Sequence, residues 1–158
     1  MVRIKHVQSD ADLNNIRQLF KEYQDFLGLD LSFQSFDDEL NNLPGKYSKP
    51  GGALLIAMDG DEPIGCVGVR KFKDGVCEMK RLFVRSQYQG RGIGRQLAIR
   101  IIEEATELGY QKMWLDTLST LKEANKLYRS LGFKEIEPYN IELYSPLPNT
   151  LFFELVLK

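Results

Sequence analysis

The densest chemistry in the chain lies in residues 78–95, Glu-Met-Lys-Arg-Leu-Phe-Val-Arg-Ser-Gln-Tyr-Gln-Gly-Arg-Gly-Ile-Gly-Arg. An apolar strand ends near Val84. Three glycines follow at alternate positions (Gly90, Gly92 and Gly94), and a helical pattern begins at once. Glycine accepts φ > 0 and lets a ligand come close to the backbone. The first amides of a helix lack internal partners and sit at the positive end of its dipole. A turn of this kind running into a helix is an anion site suited to a pyrophosphate. From Lys80 through Arg100 there are six basic residues (Lys80, Arg81, Arg85, Arg91, Arg95, Arg100) and no acidic one; subtracting them from a net charge of −1 leaves −7 on the rest. A helix dipole disfavours cations at its N-terminus, so this window predicts an anionic ligand. The plainer alternatives are a tight turn with a helix cap and a solvated basic face.

Two familiar phosphate loops fit poorly. The Walker pattern needs Gly-Lys-Ser/Thr, whereas Gly94 is followed by Arg95-Gln96. The dinucleotide fingerprint needs a third glycine three residues after the second, and these glycines are evenly spaced.

The elements that must hold this turn can be read from periodicity. Residues 2–7 form a short strand. Asp10 or Asp12 offers an N-cap to a helix carrying Leu13, Ile16, Leu19, Phe20, Tyr23 and Leu27, stopped by Gly28. A second short helix falls near residues 36–43. Strands over 53–58, 63–70 and 76–84, joined at Asp59-Gly60 and Lys73-Asp74-Gly75, read as an antiparallel meander. Residues 92–108 carry Ile93, Leu97, Ile101, Ala105 and Leu108, an amphipathic helix closed by Gly109. A strand at 113–116, a helix through Ala124, Leu127, Tyr128 and Leu131, and strands at 133–136 and 150–157 complete the chain, with a Pro-rich loop over 138–148. The class is mixed α/β, in one domain spanning residues 1–158.

Composition narrows the functions. The chain has 158 residues, 21 Lys+Arg against 22 Asp+Glu, 43% apolar and 27% charged residues. That is a globular balance, and it argues against a nucleic-acid partner held by bulk positive charge. Cys66 and Cys77 sit in apolar runs and read as buried free thiols. One histidine, His6, and two cysteines predict no metal site. The first residues carry no apolar signal segment, and no run approaches the ~18 apolar residues of a membrane span, so a cytoplasmic location is expected.

Gln89-Gly90-Arg91-Gly92-Ile93-Gly94 resembles the Q/R-x-x-G-x-G/A loop of the GNAT superfamily of acyl-CoA-dependent N-acetyltransferases. Ala124-Asn-Lys-Leu127-Tyr128-Arg-Ser-Leu131-Gly132-Phe133 resembles that family's A-x-x-L-Y-x-x-x-G-F at the expected distance. The order of elements extends the likeness over essentially the whole chain. The resemblance implies a central, mostly antiparallel, twisted sheet of about seven strands flanked by about four helices. It implies acetyl-CoA as co-substrate, with the backbone of Leu82 and Val84 pairing with the pantetheine arm. The amides of Gln89 through Arg95 would cradle the pyrophosphate, with charge added by Arg91 and Arg95. Glu78 lies where some members keep a general base, and Tyr128 where many keep the acid that protonates the leaving thiolate. Leu121 departs from the family, which carries Asn there, so that cofactor contact has no assigned residue. Homodimers are common in the family, and a homodimer is among the assemblies the resemblance implies.

The expected reaction is acetyl transfer to a primary amine of a small molecule by direct attack. The alternatives are a protein N-terminus or lysine as acceptor, and a non-catalytic acyl-CoA-binding module. An alkyl amine is mostly protonated at pH 7, which gives a base a task. Residues 10–39 hold eight acids against Arg17 and Lys21, which would suit a cationic acceptor. Tyr139, Tyr144 and Leu147 are placed to close the acceptor pocket. His6 reads as structural, and Trp114 and Phe133 as core.

Overall fold

Two hairpin turns and one amphipathic stripe set the architecture. Residues 53–84 fold back and forth at Gly60 and Gly75, both with φ > 0, which builds the centre of a sheet from sequence neighbours. The computed structural model describes residues 1–28, 35–140 and 149–158. In chain order the elements are β1 (Val2–His6), α1 (Asp10–Leu27), α2 (Phe36–Asn41), β2 (Ala53–Asp59), β3 (Glu62–Lys73) and β4 (Val76–Val84). They continue with α3 (Ile93–Glu107), β5 (Lys112–Leu118), α4 (Lys122–Ser130), β6 (Lys134–Ile136) and β7 (Thr150–Val156). The expected class and succession are those observed. The seven strands form one sheet in the order β1-β2-β3-β4-β5-β7-β6, with β4 and β5 the parallel pair and the others antiparallel.

Each face of the sheet buries one set of helices. On one face Ile93, Leu97, Ala98, Ile101 and Ala105 of α3 pack against Leu55, Ala57, Val67, Val69 and Met79. A Cβ at Gly65 would lie 2.9 Å from the Phe83 carbonyl and 3.1 Å from Leu97 Cδ1, so glycine is what lets α3 lie this close to β3. On the other face Ile16, Leu19 and Phe20 of α1 and Phe36 and Leu40 of α2 cover Leu54, Ile56, Cys66 and Phe83. At roughly 1.5–3 kcal/mol per fully buried large side chain, these two layers carry most of the favourable burial.

Two local readings are corrected. The N-cap of α1 is Ser9, whose hydroxyl accepts the Asp12 N–H at 3.1 Å, while Asp12 accepts the Gln8 N–H at 3.0 Å. Ser9 thus satisfies one free amide of the first turn, and Asp12 reaches back to the residue before the cap. Trp114 is half-buried and outside the core: it stacks with Phe72 and Tyr139 and donates its indole N–H to Glu154. Among the acids of the first helices, Asp12 pairs with Lys5, Glu22 with Arg85 and Glu39 with Arg81, while Asp10, Asp25, Asp37 and Asp38 are exposed. Asp30, Tyr144 and Leu147 lie outside the described residues. The cysteines are buried free thiols as expected, and burial pushes the Cys77 thiol up to about 12. His6 bonds Glu104 at 2.7 Å and ties β1 to α3.

The Glu22–Arg85 pair makes a testable contribution. Arg85 donates from Nε and Nη2 to the two Glu22 oxygens at 2.8 and 2.7 Å, joining α1 to the end of β4. That hydrogen bonding holds the Glu22 carboxyl below the usual carboxylate range. A depressed folded-state pKa adds stability that is present above the unfolded value of ~4.3 and lost as pH falls through the folded value. Thermal melts from about pH 3 to 7 are expected to show a weaker acid-side loss of Tm in Glu22→Gln than in the parent.

Candidate active site

The site begins where β4 and β5 part. Val76, Cys77 and Glu78 pair with Lys112, Met113 and Trp114, and no ladder pair joins the two strands beyond that among the described residues. Residues 79–84 therefore present an unpaired edge roughly 15 Å long. A bulge contributes to the parting. Between Lys80 and Phe83 β4 uses one more residue than β3 does between Gly68 and Cys66, and Arg81 takes φ 63. A left-handed non-glycine residue at a bulge is held by its surroundings. Arg81 donates to both Glu39 oxygens at 3.0 Å, its guanidinium lies 5.1 Å from the Phe36 ring centre, and its carbonyl accepts the Cys66 thiol.

Alternation decides which backbone groups face the gap. The Arg85 N–H bonds the Ile64 carbonyl on β3 at 2.9 Å. Val84 and Leu82 therefore turn their N–H and C=O groups to the opposite edge, into the gap. The Val84 carbonyl accepts the Gln89 side-chain amide at 3.0 Å. The Gln89 N–H is itself bonded to the Ser86 carbonyl at 3.2 Å. Gln89 thus fastens the turn, and the cradle of available amides narrows to residues 90–95.

Those amides surround the start of α3. Gly90 and Gly92 have φ of 80 and 78, and a Cβ added at either meets nothing within 4 Å. Gly94 is helical, with an added Cβ in ordinary contact with Val84. Gly90, Arg91, Gly92, Ile93, Gly94 and Arg95 donate no backbone hydrogen bond to backbone among the described residues, as the first turn of a helix requires. Ile93 is buried in the core and anchors the turn. Arg91 and Arg95 are exposed at its rim, Arg91 over the Tyr88 ring and Arg95 bonded to Ser130 of α4. The basic window divides accordingly. Lys80, Arg81 and Arg85 are paired with Asp116, Glu39 and Glu22, Arg100 lies 4.0 Å from Glu104, and the charge left for an anion is that of Arg91 and Arg95.

Two candidate proton carriers flank the vertex of the gap. Tyr128, on the inner face of α4, packs edge-on to Phe133 and is buried. Its hydroxyl makes no hydrogen bond among the described residues. Burial pushes its pKa upward, and Tyr23 and Asp116 raise it further, so it keeps its proton across the neutral range. Glu78, on the opposite face of β4, is 2% exposed. It accepts Arg70 Nε and Nη2 on Oε1 at 3.3 and 3.2 Å and the Tyr139 hydroxyl on Oε2 at 2.6 Å. Sequence reasoning missed Arg70. A hairpin folded about Asp74 sets Arg70 across from Glu78, so counting back from the turn would have found it.

A split strand pair with an amide cradle at one end and the titratable side chains of Glu78 and Tyr128 near the other has the shape to hold an extended anionic ligand. Residues 13–133 match the model of the acetyltransferase (GNAT) family. The chain belongs to that family. It is 43% identical over 159 residues to an uncharacterized N-acetyltransferase of Schizosaccharomyces pombe, covering 99% of this chain and 96% of that one. It is 32% identical over 124 residues to the N-acetylaspartate synthetase of Danio rerio, covering 74% of this chain and 44% of that one. Among solved structures, an acetyltransferase of Salmonella typhimurium determined with acetyl-CoA superposes with a TM-score of 0.72 at 19% identity, covering 99% and 94% of the two chains. The chain is thus an acyltransferase of the N-acetyltransferase type. No helix among the described residues is long and apolar enough to cross a membrane.

Proposed function

We propose that the protein transfers the acetyl group of acetyl-CoA to a primary amine of a small molecule by direct attack in a ternary complex. The observation that carries this reading is the parted β4–β5 edge, which joins the amide cradle of residues 90–95 to Tyr128 and Glu78. The pyrophosphate meets the start of α3, where free amides and the helix dipole favour an anion. Arg91 and Arg95 add charge from the rim. The arm runs along Leu82 and Val84 as an extra strand, which brings the thioester toward the vertex.

The amine nitrogen attacks the thioester carbonyl. A C–N bond forms, the carbonyl oxygen gains negative charge, and the Val84 N–H is positioned to stabilise it. Collapse breaks the C–S bond. The sulfur takes the Tyr128 proton, and the amine proton passes to Glu78, directly or through a water, then by solvent back to Tyr128. Glu78 retains capacity for this. Each carboxylate oxygen accepts about two hydrogen bonds, and Oε2 accepts one, from Tyr139. A small-molecule acceptor is supported by the Danio rerio relative, whose name states an N-acetylated amino acid as its product.

Free-thiol detection with acetyl-CoA and a panel of polyamines and amino acids tests the reading. Amine-dependent CoA release is expected, and stabilisation by acetyl-CoA without release for any amine would instead mark a binding module. On the best acceptor, Glu78→Gln is expected to flatten the acidic limb of the kcat/KM profile and lower its plateau about 10–100-fold. An unaltered profile would remove Glu78 from the proton path.

A further inference from the structure

The face of the gap that carries Glu78 is lined by paired charges rather than by acids alone. Arg70 on β3, Lys80 and Arg81 on β4 are set against Glu78, Glu39 on α2 and Asp116 on β5. Lys80 and Arg81 are each 4% exposed. Each of these cations is offset by a carboxylate, so the face holds no excess negative charge that would favour a bare ammonium over a zwitterion.

Arg70 differs from its neighbours. The Arg81 fork is spent on both oxygens of Glu39. Arg70 instead directs Nε and Nη2 at one oxygen, Glu78 Oε1, at 3.3 and 3.2 Å, and its Nη1 makes no hydrogen bond among the described residues. Its side chain is 23% exposed, so the fork is partly open. A guanidinium with open donors favours a carboxylate above other ligands, because fork and carboxylate match in plane and spacing. The open donor and the proton-accepting Oε2 belong to side chains in contact. An α-amino acid carries its amine and its carboxylate on the same carbon and presents them at that kind of separation.

We propose that the acceptor is an amino acid, with its amine at Glu78 and its carboxylate on Arg70. The proposal rests on the acetyltransferase reading above and names the substrate class of the same site. The bland role of Arg70, pairing with Glu78 for stability alone, predicts no preference between an amino acid and its neutral derivative.

The test compares matched acceptors at saturating acetyl-CoA: each L-amino acid against its amide and its decarboxylated amine. The kcat/KM for the free carboxylate is expected to exceed the others by about 30-fold, the worth of a charge-assisted hydrogen bond that only the carboxylate makes. Arg70→Gln is expected to remove that preference, mainly through KM for the amino acid, and to leave KM for acetyl-CoA unchanged. Arg70→Lys, which keeps the charge but not the fork, is expected to recover part of it. A readout independent of chemistry is the melting temperature of the CoA-bound protein, which amino acids should raise and their amides should not. Equal use of amines and amino acids by the parent protein overturns the proposal, and so does a proportional loss on both in Arg70→Gln. If amino acids stabilise the CoA-bound protein but nothing is acetylated, the acetyltransferase reading fails while the carboxylate site stands. Failure of both readouts overturns the proposal.

Discussion

Gly92→Glu is expected to abolish the stabilisation that acetyl-CoA gives the protein. Binding to the folded state alone adds about 2.7 kcal/mol at a hundred times Kd. For a domain of this size that is a rise in Tm of roughly 5–10 °C. Gly92 has φ 78, and although a Cβ there meets nothing within 4 Å, an L side chain is strained in that conformation. The strain costs on the order of 1–3 kcal/mol. The new carboxylate also stands among the amides of residues 90–95 and beside Arg91, where it repels a pyrophosphate and competes for the same donors. A loss of affinity of at least about 100-fold is expected from the two effects together. Gly109→Glu separates binding from strain. Gly109 has φ 94 and open space at the far end of α3. That variant should lose similar stability and keep the full acetyl-CoA shift in a thermal melt. If both variants keep the shift, the glycine turn is not the pyrophosphate site.

Tyr128→Phe carries the second large effect and separates chemistry from binding. Removing a general acid lowers turnover about 100- to 1,000-fold. Because the ring stays in place against Phe133 and Phe153, KM for acetyl-CoA should change by less than about threefold. The hydroxyl makes no hydrogen bond among the described residues, so its loss should leave Tm unchanged or slightly raised. Steady-state kinetics beside a thermal melt checks both. A fall in Tm with unchanged turnover would make Tyr128 a core residue and nothing more.

The fold was legible because its information is local. Turn residues stand at Gly60 and Gly75, the α3 stripe keeps helical spacing, and Gly28 stops α1 at φ 69. The glycine turn was legible for the same reason. Charge was misread where its meaning depends on distant partners. The six basic residues of the window looked like one anion field, yet Arg81 and Arg85 meet Glu39 and Glu22, which lie 42 and 63 positions away. No periodicity carries that information. The same kind of pairing engages Asp12, Glu22 and Glu39 among the acids of residues 10–39, so a count of acids overstates the charge they present. The bulge at Arg81 was hidden too, since a left-handed arginine has no local signature and is held by α2 and Cys66 from outside its strand. Trp114 reads as core on hydropathy. Only the order of the sheet shows that its face carries Phe72, Tyr139 and Phe152 in place of a covering helix.

The central claim is that the parted β4–β5 edge delivers an acetyl group directly from acetyl-CoA to an amine. The most direct measurement is a single turnover with acetyl-labelled acetyl-CoA, quenched and read by mass spectrometry of both the small molecules and the intact protein. The predicted result is N-acetylated acceptor and free CoA in equal amounts, with the protein mass unchanged throughout. Label on the protein before it reaches the acceptor, or tight acetyl-CoA binding with no CoA released by any amine, would contradict it.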